Sequence, residues 1–392
     1  MPANDELRFT STESFQLFTE GLRSLQAYGR DARHEALERA ATNFEECARK
    51  FPADILPKFY LGVVKTELGY TGLDDAIAVF RSILEAKTEQ LKPTAEYNLA
   101  VAFMRRYMPG DIQTAENILG RLRQELEHLP SSSADDLALR LQVEVLLDFI
   151  FVRQNLWFWR FYAEDRQEDV EVARQKLDKF KKDLDVAQIS DAKKGDIRAA
   201  YLNTEGLLCE YVAHKTLEQT AKRNEAQKAI ANFEQALSFK KNWIPALSNL
   251  ARIYQDILEQ QSDATRLWQQ VLEIRPDDQY SFYMLGNLYG RENPLRAIRY
   301  YGRAPSIPEA GYKLGLAYER TQRREKAIEQ YERVSRNWNY PRASFRLGQI
   351  FEDEGRLDVA LEWYRKADKL PEAQEAIKRI EDTDSPAHQS SD

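Results

Sequence analysis

The chain has 392 residues, of which 43% are hydrophobic and 30% are charged, and its formal net charge is −7. This composition is typical of a folded protein, and the acidic balance gives no general case for nucleic-acid binding. The two cysteines, Cys47 and Cys209, lie far apart, which argues against a disulfide framework and favours a reducing, cytoplasmic location. The first ten residues contain no apolar run, and no stretch of about 18 uninterrupted apolar residues follows, so neither a signal peptide nor a membrane span is predicted.

The N-terminal part of the chain carries small and large apolar residues at helical spacing. We predict that residues 1–13 are disordered and that residues 14–130 form repeated helix hairpins. Three hairpins are distinguished by a small residue on the first helix and a large one on the second: Gly21 and Phe44, Gly62 and Phe80, and Ala100 and Leu119. A small residue at such a position lets the second helix approach closely.

This pattern breaks in residues 131–196, which we predict to form an irregular, aromatic-rich helical hairpin. Its first helix is expected from Leu137 to Tyr162 and its second from Glu168 to Val186, with a flexible junction near Lys193 and Gly195. Seven aromatic residues lie within residues 149–162. We expect them to form a buried seam between two repeat arrays, and an exposed docking patch for a partner is the main alternative. Contact with a membrane surface is less favoured, because no lysine-rich polar face accompanies them.

The clearest signal lies near the C-terminus, where the same pattern of residues occurs twice. Three pairs of equivalent residues are each separated by 33 positions: Gly315 and Gly348, Ala327 and Ala360, and Tyr331 and Tyr364. Two antiparallel helices cannot bury both of their apolar faces alone, so such units stack into a solenoid. The repeats are predicted over residues 197–382, where the last helix is a solvating cap, and residues 383–392 are predicted to be disordered.

The 33-residue pattern resembles the tetratricopeptide-repeat family, strongly from Trp243 to Leu370 and loosely before that. The resemblance implies an all-α fold, namely a right-handed α-solenoid of antiparallel helix hairpins. It also implies a non-catalytic scaffold or adaptor that binds a protein or peptide in a concave groove lined by the first helix of each repeat. Mapped onto this chain, that groove gives the candidate partner-binding residues Arg252, Tyr283, Asn287, Tyr312, Arg342, Phe345, Arg346 and Gln349.

The regular repeats also contain a local excess of basic residues, although the chain as a whole is acidic. Residues 291–346 hold thirteen basic and six acidic residues, and eleven of the basic residues are arginine. Arginine suits carboxylates, so we expect a partner with acidic features, with Arg252 and Asn287 in slots equivalent to the Arg342 and Arg346 pair. The alternative is that these arginines pair locally with glutamates along the helix faces.

The residue pattern gives no support for catalysis. None of the four histidines lies at metal-ligand spacing from another histidine or a cysteine, and there is no phosphate-binding glycine loop or nucleophile elbow. We therefore predict no cofactor, no metal and no enzymatic activity. Two other functions are kept as alternatives: a regulatory or sensor subunit that docks through the aromatic residues 146–162, and a hydrolase or transferase with a site inside the superhelix.

Overall fold

The computed structural model describes residues 9–31, 34–69, 72–86, 88–106, 108, 110–128, 133–156, 166–290 and 292–383. Within these residues the chain forms nineteen α-helices and no β-strand. The chain divides into two compact units, Met1–Pro276 (unit 1) and Asp277–Asp392 (unit 2). Inside each unit every helix packs against the helix that follows it in the sequence. The predicted fold class, an all-α solenoid of helix hairpins, is thereby confirmed.

Unit 1 contains the first twelve helices. They are α1 (Thr12–Asp31), α2 (His34–Lys50), α3 (Ile55–Leu68), α4 (Leu73–Glu85), α5 (Lys92–Arg106), α6 (Asp111–Glu127), α7 (Ala134–Asn155), α8 (Gln167–Val186), α9 (Asp191–Lys215), α10 (Gln219–Phe239), α11 (Ile244–Asp256) and α12 (Gln261–Ile274). The hairpin of α9 and α10 includes the longest described helix of this unit, α9 with 25 residues, and the buried residues of α10 are alanines and Phe233.

Unit 2 contains the regular repeats. Its helices are α13 (Gln279–Tyr289), α14 (Pro294–Tyr301), α15 (Pro308–Arg320), α16 (Arg324–Trp338), α17 (Pro341–Asp353), α18 (Leu357–Lys366) and α19 (Pro371–Thr383). Proline begins α14, α15 and α17, because the first turn of a helix tolerates its missing N–H and its fixed φ. Ala373 and Ile380 of α19 are buried, as expected for a capping helix.

Close contact between a glycine and an aromatic ring determines how the two helices of a hairpin meet. A Cβ atom on the glycine would lie 2.3 to 2.8 Å from the nearest ring atom in six hairpins, which is too close for any side chain. The pairs are Gly21 and Phe44, Gly62 and Phe80, Gly206 and Phe233, Gly286 and Tyr301, Gly315 and Tyr331, and Gly348 and Tyr364. The close helix approach predicted at Gly21 and Gly62 is therefore confirmed, and the same packing occurs at the four other glycines.

The irregular segment differs from its prediction in two places. The helix expected to reach Tyr162 ends at Asn155, and Leu156 is buried in the turn that follows. Residues 157–165, which carry most of the aromatic side chains of residues 146–162, lie outside the described part of the chain. Lys193 and Gly195 belong to the first turns of α9, so they do not form a loop junction.

The two ends of the chain were predicted to be disordered. Residues 1–8 and 384–392 lie outside the described residues. Phe9, however, packs its ring 4.9 Å from that of Phe18, and the Thr10 amide donates hydrogen bonds to the buried carboxylate of Asp54. These contacts attach the start of α1 to the loop before α3, because an acceptor in that loop satisfies a backbone donor near the helix start.

Candidate functional site

A cleft of about 350 Å³ lies in unit 2 between α15, α17 and the start of α19. Five of the eight predicted partner-binding residues line this cleft, together with three that were not predicted. The lining residues are Tyr312, Leu316, Arg342, Phe345, Arg346, Gln349, Leu370 and Glu372. The 33-residue period explains the convergence, because it repeats Tyr312 as Phe345 and Leu316 as Gln349 on successive first helices.

Two aromatic rings form the apolar part of the cleft and are held by neighbouring rings. The centroid of the Tyr312 ring lies 5.8 Å from that of Tyr331 and 5.6 Å from that of Tyr340. The centroid of the Phe345 ring lies 5.5 Å from that of Tyr364. Burial raises the pKa of the Tyr312 phenol, which therefore stays protonated and able to donate a hydrogen bond at neutral pH. The cleft thus has rigid aromatic walls before any partner binds.

Arg346 lines the cleft, but its guanidinium group is already paired. Its Nε atom donates a 3.0 Å hydrogen bond to Glu319, Nη2 donates to the same carboxylate, and Nη1 donates a 2.9 Å bond to Gln349. Glu319 also accepts a 2.6 Å bond from the Tyr331 hydroxyl. Burial would raise the pKa of Glu319, but these hydrogen bonds and the charge of Arg346 outweigh it and lower the pKa.

The group formed by Glu319, Tyr331 and Arg346 recurs along unit 2. Each group joins an acceptor on a first helix, a tyrosine on the second helix of the same repeat, and a cation on the first helix of the next repeat. The two other groups are Asn287, Tyr301 and Lys313, and Glu352, Tyr364 and Arg379. The three cations are spaced by 33 residues, so these groups form a ladder of polar contacts that follows the repeat. The ladder connects successive hairpins.

This ladder also places two of the predicted residues. Asn287 accepts a 2.9 Å hydrogen bond from Tyr301 and another of 2.9 Å from Lys313. Tyr283 lies beside the same lysine, whose Nζ atom is 5.2 Å from the centre of the tyrosine ring. Tyr283 and Asn287 are therefore near the first ladder group, and they do not line the cleft. The residue equivalent to Arg346 in the preceding repeat is Lys313, and the expected equivalence with Asn287 is wrong.

Arg342 and Glu372 carry the charges of the cleft that form no ion pair within the described residues. Both side chains are exposed, and neither forms an ion pair with a described residue. They line the same cleft, yet they are not within 4.0 Å of each other. Arg342 is the first basic residue of α17, and Glu372 lies in the first turn of α19. These two groups are the ones that a bound molecule could contact without first breaking a salt bridge.

Arg252 does not belong to this surface. It lies on α11 of unit 1 and is only 4% exposed. Its Nε and Nη2 atoms donate hydrogen bonds of 2.7 and 2.6 Å to Glu210 of α9, and Nη2 donates a third to Asn249. Loss of the partner of such a buried guanidinium group strongly destabilises the folded protein, because an uncompensated charge stays buried. Its burial contradicts a contact with a partner, and we remove Arg252 from the candidate residues.

Some basic residues of 291–346 pair with glutamates of the chain, and others are exposed without such a pair among the described residues. Among the described residues, four of them form ion pairs with glutamates: Lys313 with Glu309, Arg324 with Glu354, Arg336 with Glu332, and Arg346 with Glu319. Only two of these pairs are neighbours on one helix face, since the other two join different helices. Arg299, Arg323 and Arg342 are exposed and form no ion pair with a described residue.

A second charged cluster lies in unit 1. Arg105 of α5 donates hydrogen bonds of 2.9 Å to the Thr66 carbonyl and 2.8 Å to the Glu67 carboxylate. Arg275, just after α12, donates a 3.1 Å bond to the Glu67 carbonyl and packs on Gly69, where φ is +89°. Burial would raise the pKa of Glu67, but the nearby cations, led by Arg105, lower it to about 2. The end of α12 is therefore joined to the end of α3 across 208 residues.

The described residues contain neither a cluster of metal ligands nor a helix that could span a membrane. No group of three or more histidine, cysteine or acidic side chains among them could hold a metal ion. Burial raises the pKa of the Cys209 thiol to about 12, so this thiol is not a reactive nucleophile at neutral pH. No helix within the described ranges is both long and apolar enough to cross a membrane.

Comparison with known families supports the repeat assignment at the cleft. Residues 312–379 match the family described as Tetratricopeptide repeat. This segment begins at Tyr312 of α15, ends at Arg379 of α19 and contains every residue that lines the cleft. Residues 312–379 are therefore assigned to tetratricopeptide repeats, and repeats of this kind stack into solenoids with extended concave surfaces. A search of the curated proteins gives no significant match.

Several solved structures are similar to parts of this chain. The crystal structure of MamA is 23% identical over 44% of this chain and 97% of its own, with a TM-score of 0.34. YrrB, described as a TPR protein with an unusual peptide-binding site, is 20% identical over 45% and 92%, with a TM-score of 0.33. An IFIT1 monomeric mutant with Gppp-AAAA is 15% identical over 91% and 71%, with a TM-score of 0.42. With TM-scores this low, none of these similarities assigns a ligand to this chain.

Proposed function

We propose that this protein is a non-catalytic scaffold or adaptor that binds a protein or peptide, with an acidic residue of the partner at the cleft of unit 2. The observation that carries the proposal is Arg342, an exposed arginine that lines the cleft beside Tyr312 and Phe345 and forms no ion pair with a described residue. Rigid aromatic side chains beside an arginine are the residue types that dominate binding energy at protein interfaces. A carboxylate placed here would gain charge-assisted hydrogen bonds with the fork of Arg342.

Site-specific crosslinking in the full chain tests this proposal. The photoreactive amino acid benzoylphenylalanine is introduced at position 345, in the cleft, or at position 15, where the native Phe15 is 54% exposed on α1. We expect a discrete crosslinked protein from position 345 that is absent from position 15. The same crosslink should be lost when Arg342→Glu is added and kept when Arg299→Glu is added, because Arg299 is an exposed arginine outside the cleft. Equal capture from both positions, or capture that ignores Arg342→Glu, would place the binding site elsewhere.

The alternative of docking through residues 146–162 predicts a different crosslinking pattern. The described part of that segment ends at Leu156, and Phe149 and Phe151 are partly buried on α7. A probe at position 151 should then capture the partner while a probe at position 345 does not. Turnover of a small-molecule library by the purified chain alone would instead support the third alternative, a hydrolase or transferase.

A further inference from the structure

The cleft presents one positive and one negative side chain that are not already paired with each other or with a neighbour among the described residues. Arg346 is bound to Glu319 and Gln349, so its positive charge is already balanced. Arg342 and Glu372 are the charged groups of the lining that form no ion pair with a described residue. They stand on different helices, α17 and α19, and the side chains of Tyr312, Leu316 and Phe345 line the same cleft. A bound segment that is only acidic would therefore satisfy one wall and meet a like charge at the other.

We infer that the cleft selects a peptide segment in which an acidic residue and a basic residue flank an apolar side chain. The acidic residue pairs with Arg342, the apolar side chain lies among Tyr312, Leu316 and Phe345, and the basic residue pairs with Glu372. This inference rests on the proposed function, since it specifies the partner of the same cleft. Complementary charges at both walls also give the segment one preferred direction, because the reversed order places like charges together.

The negative charge of Glu372 has a second consequence that must be separated from binding. An acidic side chain in the first turn of a helix interacts favourably with the helix macrodipole, and Glu372 lies in the first turn of α19. That interaction explains why an acidic residue suits this position, but it does not require the side chain to line a cleft. Glu375 is a suitable control, because it is exposed on the same helix and does not line the cleft.

A peptide-display selection on the full chain tests the inference. Random twelve-residue peptides on phage are selected against the parent chain and against the Arg342→Glu, Glu372→Arg and Glu375→Arg variants. The parent and the Glu375→Arg variant should enrich peptides that carry both an acidic and a basic residue around an apolar one. Arg342→Glu should remove the preference for the acidic residue, and Glu372→Arg should remove the preference for the basic residue. Each charge reversal should weaken a peptide selected on the parent by about tenfold or more.

The possible failures are distinguishable. Peptides that are acidic, depend on Arg342 and bind equally well to Glu372→Arg would overturn the inference and leave the proposed function standing. Peptides whose binding ignores both substitutions, or no enrichment at all, would overturn the inference and the proposed function together. Dimerisation of the parent chain in sedimentation experiments that Arg342→Glu abolishes would make a second copy the occupant, and it would also overturn the inference.

Discussion

The ring of Tyr331 occupies the space that a side chain on Gly315 would need. A Cβ atom at position 315 would lie 2.3 Å from the ring, and the two residues belong to the two helices of one hairpin. The same tyrosine donates its hydroxyl to Glu319, one turn after the glycine on the same helix. Tyr331 therefore sets the distance between the two helices and also makes a polar contact with Glu319 of the first helix.

The first prediction concerns this close approach. Gly315→Ala should lower the free energy of unfolding by about 1–3 kcal/mol, because the ring of Tyr331 must move to admit a methyl group. Gly120→Ala is the matched control, since Gly120 is within α6 and has nothing within 4 Å of its Cβ position. There we expect stabilisation by about 0.5–1 kcal/mol, because alanine favours the helix over glycine. Urea denaturation checks both values, and equal effects at the two glycines would contradict the packing argument.

The second prediction isolates the hydroxyl group of the ladder. Tyr331→Phe keeps the ring above Gly315 and removes the donor to Glu319. Because the lost hydrogen bond has a charged acceptor, the free energy of unfolding should fall by about 1.5–3 kcal/mol. Tyr318→Phe, on the same helix as Glu319, should change it by less than about 0.5 kcal/mol, because no described residue accepts a hydrogen bond from the Tyr318 hydroxyl. Thermal and urea unfolding of the two variants measure the difference.

The third prediction is a dependence of stability on pH through Glu67. The pKa of this carboxyl is about 2 in the folded chain, below its ordinary value of 4.5. The stabilisation is therefore complete above about pH 4.5 and is lost as the pH falls towards 2. Glu67→Gln should lower the melting temperature at pH 7. The melting temperature of this variant should also decrease less than that of the parent between about pH 4.5 and pH 2. Glu20→Gln, at an exposed carboxyl of α1 without an ion pair in the described chain, should leave the profile as in the parent.

The fourth prediction concerns the contact between the ends of α3 and α12. Arg275→Ala removes the hydrogen bond to the Glu67 carbonyl and the packing on Gly69. Amide hydrogen exchange should then become faster at the end of α3, because that segment loses a contact from a distant part of unit 1. Arg266→Ala removes an exposed arginine of α12 that pairs with Asp263 of the same helix, and it should leave exchange at α3 unchanged. Unchanged exchange in both variants would show that the contact does not hold the segment.

Much of the fold could be read from the sequence, because the glycine and tyrosine positions recur with a fixed period. The same period predicted which face of α15 and α17 carries Tyr312 and Phe345. It could not predict the pairing of Arg346 with Glu319, since these residues are 27 positions apart and meet only when two repeats stack. Helix-face rules consider neighbours three or four positions away and miss such pairs. The burial of Arg252 was missed for the same reason, because Glu210 lies 42 positions earlier in α9.

The last prediction separates the two arginines of the cleft. Arg342 has no ion pair in the described chain, so Arg342→Glu should change the free energy of unfolding by no more than about 0.5 kcal/mol. Arg346→Glu breaks the bonds to Glu319 and Gln349 and brings a second carboxylate close to Glu319, so it should cost about 2 kcal/mol or more. Arg346→Lys keeps the charge but loses the planar fork, and it should fall between these values. Urea unfolding, with hydrogen exchange of α15 and α17 as a local probe, distinguishes the cases. Equal destabilisation by Arg342→Glu and Arg346→Glu would mean that Arg342 also holds the repeats together and is not free for a partner.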